Sequence, residues 1–226
     1  HLRGRRPVRF MSKKEIFDAP VAGPLMRAMK HLPVDRSAGA SSLLDAVERL
    51  RAGQLVGIFP EATISRSFEL KEFKNGAARI AAEADAPLIP MVIWGSQRIW
   101  TKGHPKRLGR TNTPVFIRIG EPIDPSGSPD EAIARLKDAM QVLLDRVKDD
   151  YTRAYGPFPA GEYWIPAEDG GSAPTLIAAR RIDTEAKAAK AAKAEKKAAA
   201  KLDKRADAKL GNARSFIDMV KEKLRR

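Results

Sequence analysis

The sequence predicts an α/β domain, a mostly parallel or mixed sheet flanked by helices, followed by a basic helical C-terminal tail. Three observations predict it. Short apolar runs alternate with stretches of helical period at the spacing of strand–helix–strand units. Of the 226 residues 43% are apolar and 31% charged, enough for a sizeable core and too apolar for wholesale disorder. The positive charge is also uneven: out of a net +14, residues 180–226 carry 16 Lys/Arg against 7 Asp/Glu.

Val8–Met11 reads as a short strand. Pro20–Lys30 places Val21, Leu25, Met26 and Met29 at helical spacing, with proline near the start where it is tolerated. His31–Arg36 is too short for a helix and follows a helix end. Ser41 and Ser42 are N-cap candidates for a helix through Arg51, with Leu43, Leu44, Val47 and Leu50 on one face and Gly53 as its stop. Gln54–Phe59 is a compact buried strand, Pro60–Phe73 a loop, and Lys71–Ala84 a second helix. Leu88–Trp94 is another buried strand, placed near an edge or bend by Pro90. Val115–Ile119 is expected to continue the sheet, and Glu131–Val147 to form an amphipathic helix.

Residues 1–150 are thus expected to form the α/β domain. Residues 151–179, rich in Gly, Pro and aromatics without a period, form an irregular arm over it, and residues 180–226 the tail. In the tail Lys187, Lys190, Lys193, Lys197, Lys201 and Lys204 make one basic stripe on a helix. Beyond it Ala206, Leu210, Ala213, Ile217, Val220 and Leu224 form a short heptad seam, weakened by Gly211, which suits a weak homodimer. The plainer alternative is a solvated helix with a weak packing seam.

Cysteine is absent, which excludes disulfide scaffolds, thiol nucleophiles and Cys-ligated zinc, and fits a reducing compartment. The longest near-continuous apolar run, Ala86–Gly95, is half of a bilayer span. No G-x-S-x-G elbow, P-loop or cluster of metal ligands is seen. The basic tail suits polyanions, but nucleic acid is disfavoured as the main partner because the tail has Phe216 as its one aromatic.

The densest chemistry is Phe59-Pro60-Glu61-Ala62-Thr63-Ile64-Ser65-Arg66, directly after a strand, where open α/β sheets bind ligands. A carboxylate, two hydroxyls and a guanidinium there can hold a polyol phosphate: Arg66 by forking onto its oxygens, Thr63 and Ser65 as donors, Glu61 by orienting a hydroxyl or a partner arginine. A capped turn with polar surface residues is the bland alternative.

Upstream stand Phe10-Met11-Ser12-Lys13-Lys14-Glu15 and Pro33-Val34-Asp35-Arg36. Downstream come Phe73-Lys74-Asn75-Gly76-Ala77-Ala78 and Leu88-Ile89-Pro90-Met91-Val92. In this order and at these intervals the blocks closely resemble the 1-acylglycerol-3-phosphate acyltransferase (lysophospholipid acyltransferase) family, over Arg5–Asp124. The resemblance implies acyl transfer from acyl-CoA or acyl carrier protein to the free hydroxyl of a lysophospholipid, with 1-acylglycerol-3-phosphate the default acceptor and phosphatidic acid the product. It implies no bound metal or cofactor. It also implies substrate-binding roles for Lys13, Lys14, Arg36, Glu61 and Thr63, with Ser65 and Arg66 completing the loop. Ala62 stands where the family has Gly, and Ile64 where it usually has Arg, so either a phosphate contact falls to Arg66, if the loop turns it inward, or Ile64 marks a subgroup with another acceptor.

The family's catalytic base is a His separated from an Asp by four intervening residues, the imidazole taking the acceptor's proton. His1, His31 and His104 are followed five residues on by Arg6, Arg36 and Gly109. His31 and Asp35 stand closer together, but Pro33 opposes the helical turn that would pair them. Since the chain opens on His1 and not Met, it reads as a fragment, and the resemblance places the His-x4-Asp pair upstream of it. On that expectation these residues bind substrate without catalysing. The basic patches are expected to hold the protein peripherally on an anionic membrane surface, at the cytoplasmic face. Phe17, Met26 and Met29 are candidates for an acyl channel, though a stripe of this spacing is more often core.

Overall fold

β1 (Val8–Lys13) lies in the middle of a three-stranded parallel sheet, with β2 (Leu32–Val34) on one side and β3 (Leu55–Gly57) on the other. The computed structural model describes residues 6–35 and 39–224, with side chains for 6–35 and 41–200. β1 pairs with β3 through its first half, Val8 opposite Leu55 and Phe10 opposite Gly57. It pairs with β2 through its second half, Met11 opposite Leu32 and Lys13 opposite Val34. His31–Arg36 therefore contains an edge strand, and Pro33 sits in it as an edge tolerates.

Three short helices flank this sheet. α1 (Lys14–Phe17), which the sequence pattern did not suggest, starts where β1 stops, and α2 (Ala22–Ala28) follows. α3 (Gly39–Arg51) begins earlier than expected, so Ser41 and Ser42 lie inside its first turn and are not its caps. Ser42 is 5% exposed, and its Oγ accepts the Asp35 amide at 3.2 Å, tying the end of β2 to α3. Gly53 ends the helix as expected, in the left-handed conformation at φ 73°. α4 (Gly76–Ala84) starts later than expected, because the Lys74 amide is held by the Pro60 carbonyl at 2.8 Å in a non-helical loop.

The expected continuation of the first sheet does not occur. β4 (Met91–Trp94) and β5 (Phe116–Ile119) form a separate antiparallel pair. A parallel return needs a crossover, usually a helix. Between these strands stands only a 3₁₀ turn at Ser96–Arg98 in a long connection, and the chain folds back on itself. Gly95 opens that connection at φ 98°, where a Cβ would lie 2.1 Å from the Pro114 carbonyl oxygen.

α5 (Pro129–Tyr155) covers both the second sheet and α4. It starts with a capping box: Ser128 Oγ accepts the Glu131 amide at 3.2 Å, and Glu131 accepts the Ser128 amide at 2.9 Å. It runs past Val147 into the stretch read as irregular, because Tyr151 and Tyr155, one turn apart, pack ring to ring at 5.2 Å. Residues 156–175 are irregular, yet Trp164 (5% exposed) and Ile165 (0%) complete a core with Trp94, Leu143, Val147 and Tyr151.

The chain divides into two units, His1–Leu176 and Ile177–Arg226. The second is essentially one helix, α6 (Leu176–Leu224, 49 residues), about 74 Å long at 1.5 Å per residue. Lys187, Lys190, Lys193 and Lys197 are all exposed on it, and Ala/Lys composition is what sustains the helix where it is solvated all round, over residues 184–200. The side chains of the seam from Ala206 to Leu224, and those of Lys201 and Lys204, lie outside the described residues.

If the arm is core, truncating its tryptophan must behave as a core truncation. Trp164→Ala should lower unfolding free energy by about 3–5 kcal/mol, read as a lower urea midpoint. A change below about 1 kcal/mol would make the arm a surface strap.

Candidate active site

In a parallel sheet all strands end on the same side, so the chain following β1, β2 and β3 emerges at one edge. Lys13, Lys14, Asp35 and the loop from Phe59 are gathered there although distant in sequence. Arg36, expected to hold the acceptor, lies outside the described residues.

The Phe59 loop is built as a tight turn. The Ala62 amide donates to the Phe59 carbonyl at 3.0 Å, and the Lys74 amide to the Pro60 carbonyl at 2.8 Å. Phe59 stacks on Phe10, ring centroids 5.6 Å apart and 16° from parallel. Gly57 permits this, since a Cβ there would come within 2.6 Å of the Phe10 ring. Ala62 adopts φ 55°, a left-handed conformation that glycine takes freely and alanine with strain of about 1–2 kcal/mol.

Glu61 is drawn inward by this turn. Its Oε2 is buried with no hydrogen-bond partner. Burial pushes its pKa above the usual carboxylate value, against a hydrogen bond from the Lys71 backbone and the charges of Lys71 and Lys137. A half-buried carboxyl lacking one partner and facing two cations is suited to accept a hydrogen bond from a substrate hydroxyl.

The two hydroxyls differ in use. Thr63 is exposed, and its Oγ1 accepts from Lys102 Nζ at 2.7 Å. Ser65 serves the loop itself: its Oγ donates to the Glu69 carbonyl at 2.9 Å and lies 3.2 Å from the fully buried Ser67 Oγ. Arg66 is half-buried, and its guanidinium lies alongside Gly103. Ile64, in the usual place of an arginine, is 48% exposed. Lys71, Lys102 and Lys137, which the motifs did not single out, thus surround Glu61 and Thr63. The one signal for Lys102 was the absence of acidic residues around it.

At the β1–β2 end Lys14 Nζ pairs with Asp35 at 3.2 Å, while Lys13 is exposed. An open cleft of about 730 Å³ adjoins them, with Arg27, Lys30 and Arg49 among its cations. His31 lines it too, but its Nδ1 accepts the Phe10 amide at 3.0 Å. The neutral ring then carries its proton on Nε2 and keeps no lone pair for a base. His104 stacks on Tyr163 at 4.2 Å. Neither forms the expected His–Asp pair. Phe17 is buried, Met26 half-buried and Met29 43% exposed, so their stripe is only partly core. Among the described residues no group of three or more His, Asp or Glu is placed to hold a metal ion.

Residues 1–94 match the acyltransferase family model. The 1-acyl-sn-glycerol-3-phosphate acyltransferase of Bacillus subtilis is 32% identical over 149 residues, which cover 63% of this chain and 68% of that protein. The chain belongs to this acyltransferase family. Its counterpart from Limnanthes douglasii is 29% identical over 60% of the chain and 47% of its own length. The crystal structure of the 1-acyl-sn-glycerophosphate acyltransferase PlsC from Thermotoga maritima superposes with a TM-score of 0.51 at 25% identity, covering 63% of this chain and 57% of that one. The acyltransferase chain described here therefore spans about half the length of several relatives.

Two substitutions test the loop. Ala62→Gly should raise unfolding free energy by roughly 1 kcal/mol by relieving the left-handed alanine, measured by urea denaturation; a loss of stability would refute the strain. Glu61 has a folded pKa above its unfolded value, so its contribution is fully present in acid and is lost as pH rises through the folded pKa. Glu61→Gln should therefore melt higher than the parent at neutral pH, with the gap closing as pH falls below the ordinary carboxylate range.

Proposed function

We propose that this chain provides the acceptor-binding edge of a 1-acylglycerol-3-phosphate acyltransferase, forming phosphatidic acid in phospholipid synthesis. The observation that carries the reading is the convergence of the Lys13-Lys14, Asp35 and Glu61–Thr63 segments at the C-terminal ends of three parallel strands. The names of the relatives support the choice of reaction.

The free hydroxyl of the acceptor attacks the donor's thioester carbonyl, the tetrahedral adduct collapses, and the thiolate leaves as the acyl oxygen ester forms. Lys13, Lys14 and Arg36 are assigned to the acceptor phosphate, whose charge they offset. Glu61 accepts from an acceptor hydroxyl, and Thr63, backed by the Lys102 ammonium, donates to the glycerol phosphate. Arg66 is assigned to the same phosphate, and Ser65 to holding the loop. The proton of the attacking hydroxyl is assigned to a His-x4-Asp pair contributed by residues outside 1–226, because no His-x4-Asp spacing occurs within 1–226 and His31 Nδ1 already accepts the Phe10 amide. A thiolate leaving group needs no metal, and none is assigned. The donor is acyl-CoA or acyl carrier protein, and the site of action the cytoplasmic face of a membrane, where the acceptor is embedded. No described helix is long and apolar enough to cross a bilayer.

Acyl transfer to lysophosphatidic acid is to be measured with both donors, on this chain and on one extended upstream. Activity is expected in the extended chain alone. There Glu61→Ala should cost roughly 100-fold in kcat/KM and Thr63→Ala roughly tenfold, the scale of charged and neutral hydrogen bonds. Full activity in Glu61→Ala, or silence of the extended chain with either donor, would overturn the reading.

A further inference from the structure

Between Asp85 and Glu121 the chain has no acidic residue, and Arg98, Lys102, Lys106, Arg107, Arg110 and Arg118 fall within that interval. Most of them lie in the long connection from β4 to β5. Its residues are exposed from Gly103 through Asn112, yet it is anchored at several points. The Arg107 amide closes it onto the Ile99 carbonyl at 2.8 Å. His104 stacks on Tyr163 at 4.2 Å, Thr101 is 3% exposed, and Lys102 reaches Thr63 at 2.7 Å.

A loop so anchored could turn its bulky residues inward, and it does not. Trp100 is 54% exposed and Leu108 72%, on the two strands of the closure made by Ile99 and Arg107. Lys106 Nζ stands 3.9 Å over the Trp100 ring. An indole and a leucine presented by a pinned loop that is rich in cations and has no acidic residue of its own match the chemistry of a bilayer's headgroup layer: an amphipathic ring at the interface, an aliphatic tip below it, and ammonium and guanidinium groups at the phosphates.

We propose that this loop is the docking surface of the body on an anionic lipid bilayer. Trp100 and Leu108 enter the boundary between headgroups and acyl chains, and Lys106, Arg107 and Arg110 meet lipid phosphates. Through the Lys102–Thr63 hydrogen bond the same loop sets the candidate site at the membrane surface. The surface is independent of the basic tail. It deepens the acyltransferase reading but requires no turnover. A bilayer fits better than a nucleic acid, because base stacking needs open aromatic faces along a groove. Here the single exposed indole has a lysine over its ring, and the other large group is aliphatic.

Trp94 (1% exposed) and Trp164 (5%) are buried, so Trp100 alone among the three tryptophans can report contact with lipid. The full chain is mixed, without acyl donor, with vesicles of phosphatidylcholine or of phosphatidylcholine with phosphatidylglycerol, carrying brominated acyl chains. Trp100 fluorescence should be quenched by the brominated chains and shielded from aqueous acrylamide only on the anionic vesicles. In co-sedimentation, Trp100→Ala with Leu108→Ser should weaken partition at least about tenfold, and Lys106→Gln with Arg107→Gln roughly 30-fold, with unchanged melting temperatures.

Undiminished partition in both double variants, with Trp100 still open to acrylamide, would leave docking to the tail and overturn the proposal. The same Trp100 response to duplex DNA or to an acidic carrier protein, and none to vesicles, would overturn it in favour of that partner. Quenching by vesicles, together with silence of the upstream-extended chain in the acyl-transfer assay, would leave the proposal standing and sink the enzymatic reading alone.

Discussion

The candidate site depends on one constraint: β1 is paired on both sides to parallel neighbours. Parallel pairing forces every strand to deliver its following residues to the same edge, and so joins three segments that the chain keeps apart. The register divides the labour. The first half of β1 holds β3 and, through the Phe10–Phe59 stack, the start of the Glu61 turn. The second half holds β2 and places Lys14 where it reaches Asp35. An exposed pair of that kind contributes only about 0–1 kcal/mol, so its value lies in holding a cation at the edge.

At Glu61 two effects oppose each other. Two lysines favour the carboxylate, and loss of water disfavours it; desolvation wins, and the pKa rises. The reason is that one carboxyl oxygen is buried with no protein donor to replace its hydration. Local strain at Ala62 accompanies this inward turn. Both costs fall on the same short loop, which is where a protein gives up stability when a side chain must face a ligand.

The second sheet contributes by what it holds. β4 and β5 are too short to be stable alone, and α5 with the Trp164–Ile165 segment completes their core. That core fixes both ends of the connection bearing Lys102 and Trp100. A residue 39 positions from Thr63 thereby becomes its hydrogen-bond partner. The irregular arm, which has no hydrophobic period at all, turns out to be essential packing, because a few large aromatic side chains suffice to fill a gap that a helix leaves.

The sequence by itself determined the class of fold, most elements and the ordered motif blocks. The α5 stripe and the existence of β3 follow from short-range sterics and hydrophobic period, and those act along the chain. The strand itself is shorter than the expected Gln54–Phe59 and only half-buried at Leu55–Gly57, and Phe59, stacked on Phe10, is 61% exposed. It also placed Glu61 and Thr63 at a strand end. Tertiary structure alone decided which strands pair, so β5 left the first sheet for β4. It decided too what each hydroxyl does: Ser42 binds the Asp35 amide, Ser65 its own loop, and Thr63 faces Lys102. His31, which the sequence disfavoured as a base because of Pro33, became an acceptor for the Phe10 amide. Hydrogen-bond partners and desolvation depend on atoms far away in sequence, and a pattern of residue types does not record which of them arrive.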